Sequence, residues 1–302
     1  MLVNKLKSFI ILTRPFFLLG GLLLYLLGVS IAISSGSKFN PIQFVIGLLL
    51  VSSIQLMVHL ANEYYDRDVD GSPAGNRTWF TGGSGVLATN SFDPKVALKA
   101  AMICGAFSLV LLVIIAFQNP WLAVLGVLEM LVAWYYSAPP IRLVSRGLGE
   151  LAASLILCFF VPFTGLVLQN RSMAVPSLLF QVSFPLTLIS LAMLIAFEFP
   201  DIEADIANAK RTLTVRLGVD RAVWLHHSLI VIAFLIMGGY SPSTPEGMAG
   251  RLVYFALPLA IWQIYRVSWQ TRHPQSGFHI LTLGAVVLFG LTGFLWLLGF
   301  WI

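Results

Sequence analysis

The chain has 302 residues, of which 58% are apolar and only 10% charged, with a mean hydropathy of +0.88. A soluble domain carries about 25% charged residues, so these values exclude a soluble enzyme, a disordered chain and a secreted disulfide scaffold. They leave a polytopic membrane protein whose first partner is the lipid bilayer, with no nucleic acid expected. The net charge is +5, and the two cysteines, Cys104 and Cys158, both lie in apolar runs without disulfide or metal-ligand spacing.

In chain order, residues 1–15 read as an interfacial segment carrying Lys5 and Lys7. Nine apolar segments follow, at about 16–35, 41–61, 96–117, 120–136, 150–169, 175–199, 219–240, 250–270 and 277–301. The first has no small-residue cleavage site, so no removable leader is expected. The whole of 1–302 is expected to form a single domain. Connections after the even-numbered segments all carry charge, whereas the others are short and nearly uncharged. Of the 18 Lys and Arg residues, all but Lys38, Arg171 and Arg251 fall on the side of the N-terminus. Basic residues near span ends mark the cytoplasm, which predicts a cytoplasmic N-terminus.

The acidic residues cluster on that same side, although acids contribute little to topology. The first cluster, NEYYDRDVDG, ends the second segment. Gln55, His59, Asn62, Asp66 and Asp70 recur there at intervals that share one helix face. The second, Glu198, Asp201, Glu203 and Asp205, ends the sixth segment, where Pro200 can open the last turn. Carboxylates stacked at a membrane boundary are expensive unless a cation neutralises them. Oxygen-only donors favour hard ions, above all Mg2+ where phosphate completes the shell. Arg67, Arg77, Arg142 and Lys210, on the same side, could then hold a phosphate's free oxygens. Two acidic walls with a basic rim suit a diphosphate better than a bare ion.

These elements resemble the UbiA superfamily of intramembrane prenyltransferases. Asn62, Asp66 and Asp70 match its NxxxDxxxD motif. Asp201 and Asp205, followed by Thr212 to Gly218, match its DxxxD…TLxVxLG motif, and Tyr136 to Leu143 resembles its YSxxPxxL loop. The Thr13-Arg14-Pro15 and Arg146 to Glu150 runs are most like the menaquinone branch, the 1,4-dihydroxy-2-naphthoate polyprenyltransferases. The resemblance implies an all-α bundle of nine transmembrane helices around a central cavity. It also implies Mg2+ held by Asn62, Asp66, Asp70, Asp201 and Asp205, with the four aspartates serving catalysis. Substrate contacts would come from Asn62, Arg67, Arg77, Tyr136, Arg142, Lys210 and His59. The substrates implied are a polyprenyl diphosphate and an aromatic acceptor.

Several residues keep two readings. His59 is a proton acceptor or a hydrogen-bonded polar group. Tyr64, Tyr65, Trp134, Tyr135 and Tyr136 stabilise a carbocation through their ring faces or form an interfacial aromatic belt. The 71–94 connection, with Thr81-Gly82-Gly83-Ser84-Gly85, is a cytoplasmic cap or a plain loop. Glu129 is a functional intramembrane acid or a protonated, hydrogen-bonded one. Other acceptors remain open: 4-hydroxybenzoate, glycerol phosphate ether lipid or tetrapyrrole. An ion-coupled transporter is the more remote alternative, since transporters place ionisable groups near the midplane.

Overall fold

The computed structural model describes residues 2–72, 76–87, 93–170, 176–240 and 250–302, with side chains from Leu6 onward. Arg171, assigned to the outer side by sequence, falls outside the described residues. So does part of the 71–94 connection.

The helices begin where the sequence supplies their caps. Asn40, Asp93 and Asn119 each precede a proline, and each side chain accepts backbone N–H groups of the first turn. Proline at the first helical position loses no bond there and has its φ already set. The described chain is helical, with no strands. The elements are α1 (Leu2–Leu12), α2 (Pro15–Ser34), α3 (Pro41–Tyr65) and the single turn α4 (Arg67–Asp70). Next come α5 (Pro94–Ala116), α6 (Pro120–Tyr135) and α7 (Gly149–Asn170), the last widened by a π turn at Ile156–Phe160. The remainder are α8 (Ser177–Glu198), α9 (Ile202–Ala207), α10 (Leu213–Leu217), α11 (Val219–Gly238), α12 (Leu257–Arg272) and α13 (His279–Gly299).

All nine apolar segments contain helix, and among the described residues seven helices are long and apolar enough to cross a membrane. The other two segments hold α6, apolar and 16 residues long, and α12, which carries Gln263, Arg266, Gln270 and Arg272.

Helix α8 is the hub, packing against α11 and α13, while α3 lies along α5 and α2 along the second half of α7. The α2–α7 crossing is close because it lacks side chains. A Cβ on Gly28 would collide with the Pro162 carbonyl, and one on Gly165 with the Tyr25 carbonyl. The outer faces are apolar, with Ile103, Val113, Trp224 and Leu235 exposed. Lipid is the solvent those faces require.

Candidate functional site

Both acid clusters lie where a long helix breaks. One helix was expected to carry Gln55 through Asp70, but α3 ends at Tyr65 and Asp66 turns the chain at φ −99, ψ 2. The turn has a local cause. Asp66 is 1% exposed, and its carboxylate gathers partners from three directions. Asn62 Nδ2 donates to it at 2.8 Å, Arg142 approaches at 3.4 Å and Lys210 at 3.4 Å. The break aims Asp66 inward and leaves Asp68 in solvent with 81% of its side chain exposed. In the second cluster Pro200 sits in a 3-10 turn, Phe199–Asp201, between α8 and α9. The α-helix therefore breaks at Pro200, through a tighter turn rather than an opened one.

Lys210 joins the clusters. Its ammonium lies 3.4 Å from Asp66 and 3.7 Å from Asp205, bridging carboxylates far apart in the chain. Burial alone disfavours that ammonium. Asp66, Asp205 and Asp70 together outweigh the penalty, and its pKa is raised. Asp70 lines the same cavity, and burial pushes its carboxyl up to about 6 against the opposing pull of Arg14 and Lys210. Asp205 accepts from Thr212 Oγ1 at 3.2 Å, yet its Oδ1 is buried with no hydrogen-bond donor.

The Gly-rich segment closes one side of this cavity. Gly82, Gly83 and Gly85 adopt positive φ of 72, 68 and 81, where side chains are strained. A Cβ on Gly83 would also strike the Asp70 carboxylate. The segment is anchored from both clusters. Ser84 donates N–H and Oγ–H to the Glu63 carboxylate, each at 2.7 Å. Asn76 N–H donates to the Pro200 carbonyl at 3.1 Å.

Most of the residues singled out by sequence meet here. Asn62, Asp66, Asp70, Arg77, Tyr136, Asp201, Asp205 and Lys210 all line the joint cavity. Arg142 touches it through Asp66. Arg77 is turned partly away, its Nε donating to the Gly82 carbonyl at 2.9 Å. Burial raises the Tyr136 phenol, which faces this acidic wall. Three expectations fail to converge. Arg67 points outward, pairing with Asp68 and stacking 5.0 Å over the Tyr64 ring. His59 sits a turn deeper, against the Thr13 carbonyl at 3.2 Å. Tyr64, Tyr65 and Trp134 pack on one another beside the cavity, at 5.0 and 6.2 Å between centroids, and Tyr135 does not line it. Glu129 is buried in α6 and also lies off the cavity wall.

Sequence reasoning missed the Arg14–Glu63 pair. Arg14 Nε donates to Glu63 at 2.7 Å, and the carboxylate is 3% exposed. Glu63 is off the Asn62–Asp66 helix face, so periodicity could not select it. The available signal was a lone arginine at the foot of an apolar helix, which needs a counter-charge. Phe80, Phe197, Glu150 and Glu198 also line the cavity without having been assigned a site role.

The donor set fits a hard divalent cation. Four carboxylates and one amide oxygen face a shared space, and Asp205 offers a buried oxygen without a donor. Among the described residues, no three His, Cys, Asp or Glu side chains already converge on one point as a metal cage. Mg2+ usually takes only one or two carboxylates and completes its shell with water and phosphate.

A bundle of apolar helices with an oxygen-donor pocket at the broken ends of two of them is the architecture of a multi-pass membrane protein. The UbiA prenyltransferase family model matches residues 22–278, and the chain belongs to that family. It is a prenyltransferase. Its similarity to the 1,4-dihydroxy-2-naphthoate octaprenyltransferase of Bacillus subtilis is 26% identity, covering 76% of this chain and 71% of that protein. The enzyme of the same name from Mycobacterium tuberculosis is 27% identical over 78% of this chain and 76% of its own length. Among solved structures, a UbiA homolog from Archaeoglobus fulgidus bound to GPP and Mg2+ matches with a TM-score of 0.67 at 18% identity. That match covers 97% of this chain and 98% of that one.

Proposed function

We propose that this prenyltransferase moves a polyprenyl group from its diphosphate to 1,4-dihydroxy-2-naphthoate in menaquinone biosynthesis. The observation that carries the reading is the Lys210 bridge between Asp66 and Asp205, which makes one site of two acid motifs. Asn62, Asp66, Asp70, Asp201 and Asp205 would hold Mg2+, which when bound neutralises diphosphate oxygens and stabilises the leaving group. Lys210, Arg77 and Arg142 supply further positive charge for those oxygens. Tyr136 presents a ring face to the allylic cation as the C–O bond lengthens. The Gly82–Gly85 segment, within a cap spanning 71–94, limits water at that carbon. Residues 1–302 act as one catalytic domain.

The naphthoate acceptor is supported by the two bacterial relatives and by the Thr13-Arg14-Pro15 and Arg146 to Glu150 runs. An anionic aromatic is drawn to a basic mouth, but charge does not separate it from 4-hydroxybenzoate. The test is competition between the two acids at equal concentration, with one prenyl diphosphate and Mg2+, in detergent-solubilised protein. The naphthoate is expected to dominate the product. Preference for 4-hydroxybenzoate, a glycerol phosphate or a tetrapyrrole would replace the acceptor and keep the transferase.

The Lys and Arg distribution supports a cytoplasmic site. A Ser84→Cys variant should therefore resist a membrane-impermeant thiol reagent in intact cells and react after lysis. Labelling of intact cells would invert the topology.

A further inference from the structure

Two carboxyl groups on the cavity wall stand apart from the metal-ligand motifs. Glu150 lies in the first turn of α7 and is 2% exposed; Glu198 is the last residue of α8 and is 9% exposed. Both line the same cavity as Asp66, Asp70, Asp201 and Lys210. Glu198 Oε2 accepts the Thr214 N–H at 2.7 Å, which fixes that carboxyl's position.

Glu150 has no such anchor. Both of its oxygens are buried, and neither receives an N–H or O–H from any neighbouring donor. Its polar neighbour on the cavity wall is the Glu198 carboxyl. Glu63, Asp66 and Asp205 each face an arginine or lysine. Among the described residues no ion pair reaches Glu150 or Glu198.

A buried carboxylate oxygen without a donor is costly, and it is satisfied when a ligand brings a hydroxyl. The surrounding wall suits a ring. Tyr136, Val144, Leu194 and Phe197 line the cavity beside the pair.

We propose that Glu150 and Glu198 form the acceptor-hydroxyl subsite, accepting the hydrogen bond of a ring hydroxyl and taking its proton as the ring attacks the allylic carbon. This rests on the prenyl-transfer reading. The allylic C–O bond breaks, and its electron pair leaves with the diphosphate. A ring carbon conjugated to the hydroxyl forms the new C–C bond. The hydroxyl proton passes to the Glu150 carboxylate, and the ring becomes a dienone. That carbon then loses its substituent, either a proton taken up by the released diphosphate or a carboxylate departing as carbon dioxide. Aromaticity returns, and the pair gives its proton back to the ring oxygen. The subsite selects acceptors by a free hydroxyl, and it keeps the acceptor's own carboxylate away from itself by like charge.

The test uses Glu150→Gln and Glu198→Gln in the full chain with Mg2+, a prenyl diphosphate and the hydroxylated acceptor preferred by the wild type, alongside its O-methyl ether. Each variant should lose on the order of a hundredfold in kcat, the scale of a general base. Protection from thermal unfolding by prenyl diphosphate should be unchanged. Glu150→Asp should recover part of the rate, and the wild type should not turn over the ether. Near-normal kcat in both Gln variants would overturn the subsite. So would a parallel loss of prenyl diphosphate protection, which would mark a structural or metal role. A wild type that prenylates no hydroxylated acceptor would remove the functional reading and the subsite together, whereas normal wild-type turnover with unaffected variants removes the subsite alone.

Discussion

Asp66→Ala and Asp201→Ala should each abolish prenyl transfer while leaving a folded, extractable helical bundle. Both side chains project from helix breaks into the shared cavity and take no part in the apolar core. Loss of either removes one wall of the oxygen-donor set, and the leaving diphosphate then keeps more of its charge in the transition state. Asp66 also carries the contacts to Asn62, Arg142 and Lys210, so Asp66→Asn, which keeps the volume and one acceptor oxygen, separates lost ligation from local collapse. The measurement is turnover with saturating substrates across a Mg2+ titration. Rates above about a tenth of wild type in both alanine variants correspond to a barrier change under about 1.4 kcal/mol. That result would sink the proposed metal site.

Lys210→Met should be nearly as severe, and it makes a second prediction about stability. The lysine side chain is 12% exposed and is flanked by Asp66 and Asp205. Its removal leaves the buried Asp205 without a counter-charge and Asp66 with Arg142 alone, an arrangement that strongly destabilises a fold. In a chelator the variant should unfold at a lower temperature than wild type. Added Mg2+ should then raise its midpoint by more than it raises the wild-type midpoint, because a ligand that binds only the folded state stabilises it by mass action and here also supplies the missing charge. Turnover should still fall by about a hundredfold, the scale for losing one preorganised electrostatic contact to developing charge. Equal Mg2+ shifts in the two proteins would mean that Lys210 does not sit between the metal-binding walls.

Much of this site was legible in the chain because its chemistry is local. Asn62, Asp66 and Asp70 advertise themselves by helix-turn spacing, and Asp201 with Asp205 does the same beside Pro200. Residues placed by the fold rather than by spacing were not legible. Tyr64 and Tyr65 are adjacent to Asp66 in sequence, yet the break after α3 turns them out beside the cavity. Arg67 follows Asp66 directly and faces solvent for the same reason. Arg14 and Glu63 are 49 positions apart, and only the packing of the start of α2 against the end of α3 joins them.

By itself the sequence determined a helical membrane protein, the rough limits of its apolar segments, and two acid motifs on one side of the membrane. Those features depend on composition and on periodicity, both of which are set within a few residues. The tertiary structure decided that the motifs form a single cavity bridged by Lys210. It also decided that Glu150 and Glu198, from different helices, line one cavity wall. These outcomes depend on how α3, α7 and α8 pack, and a contact between distant segments leaves no periodic trace along a single chain.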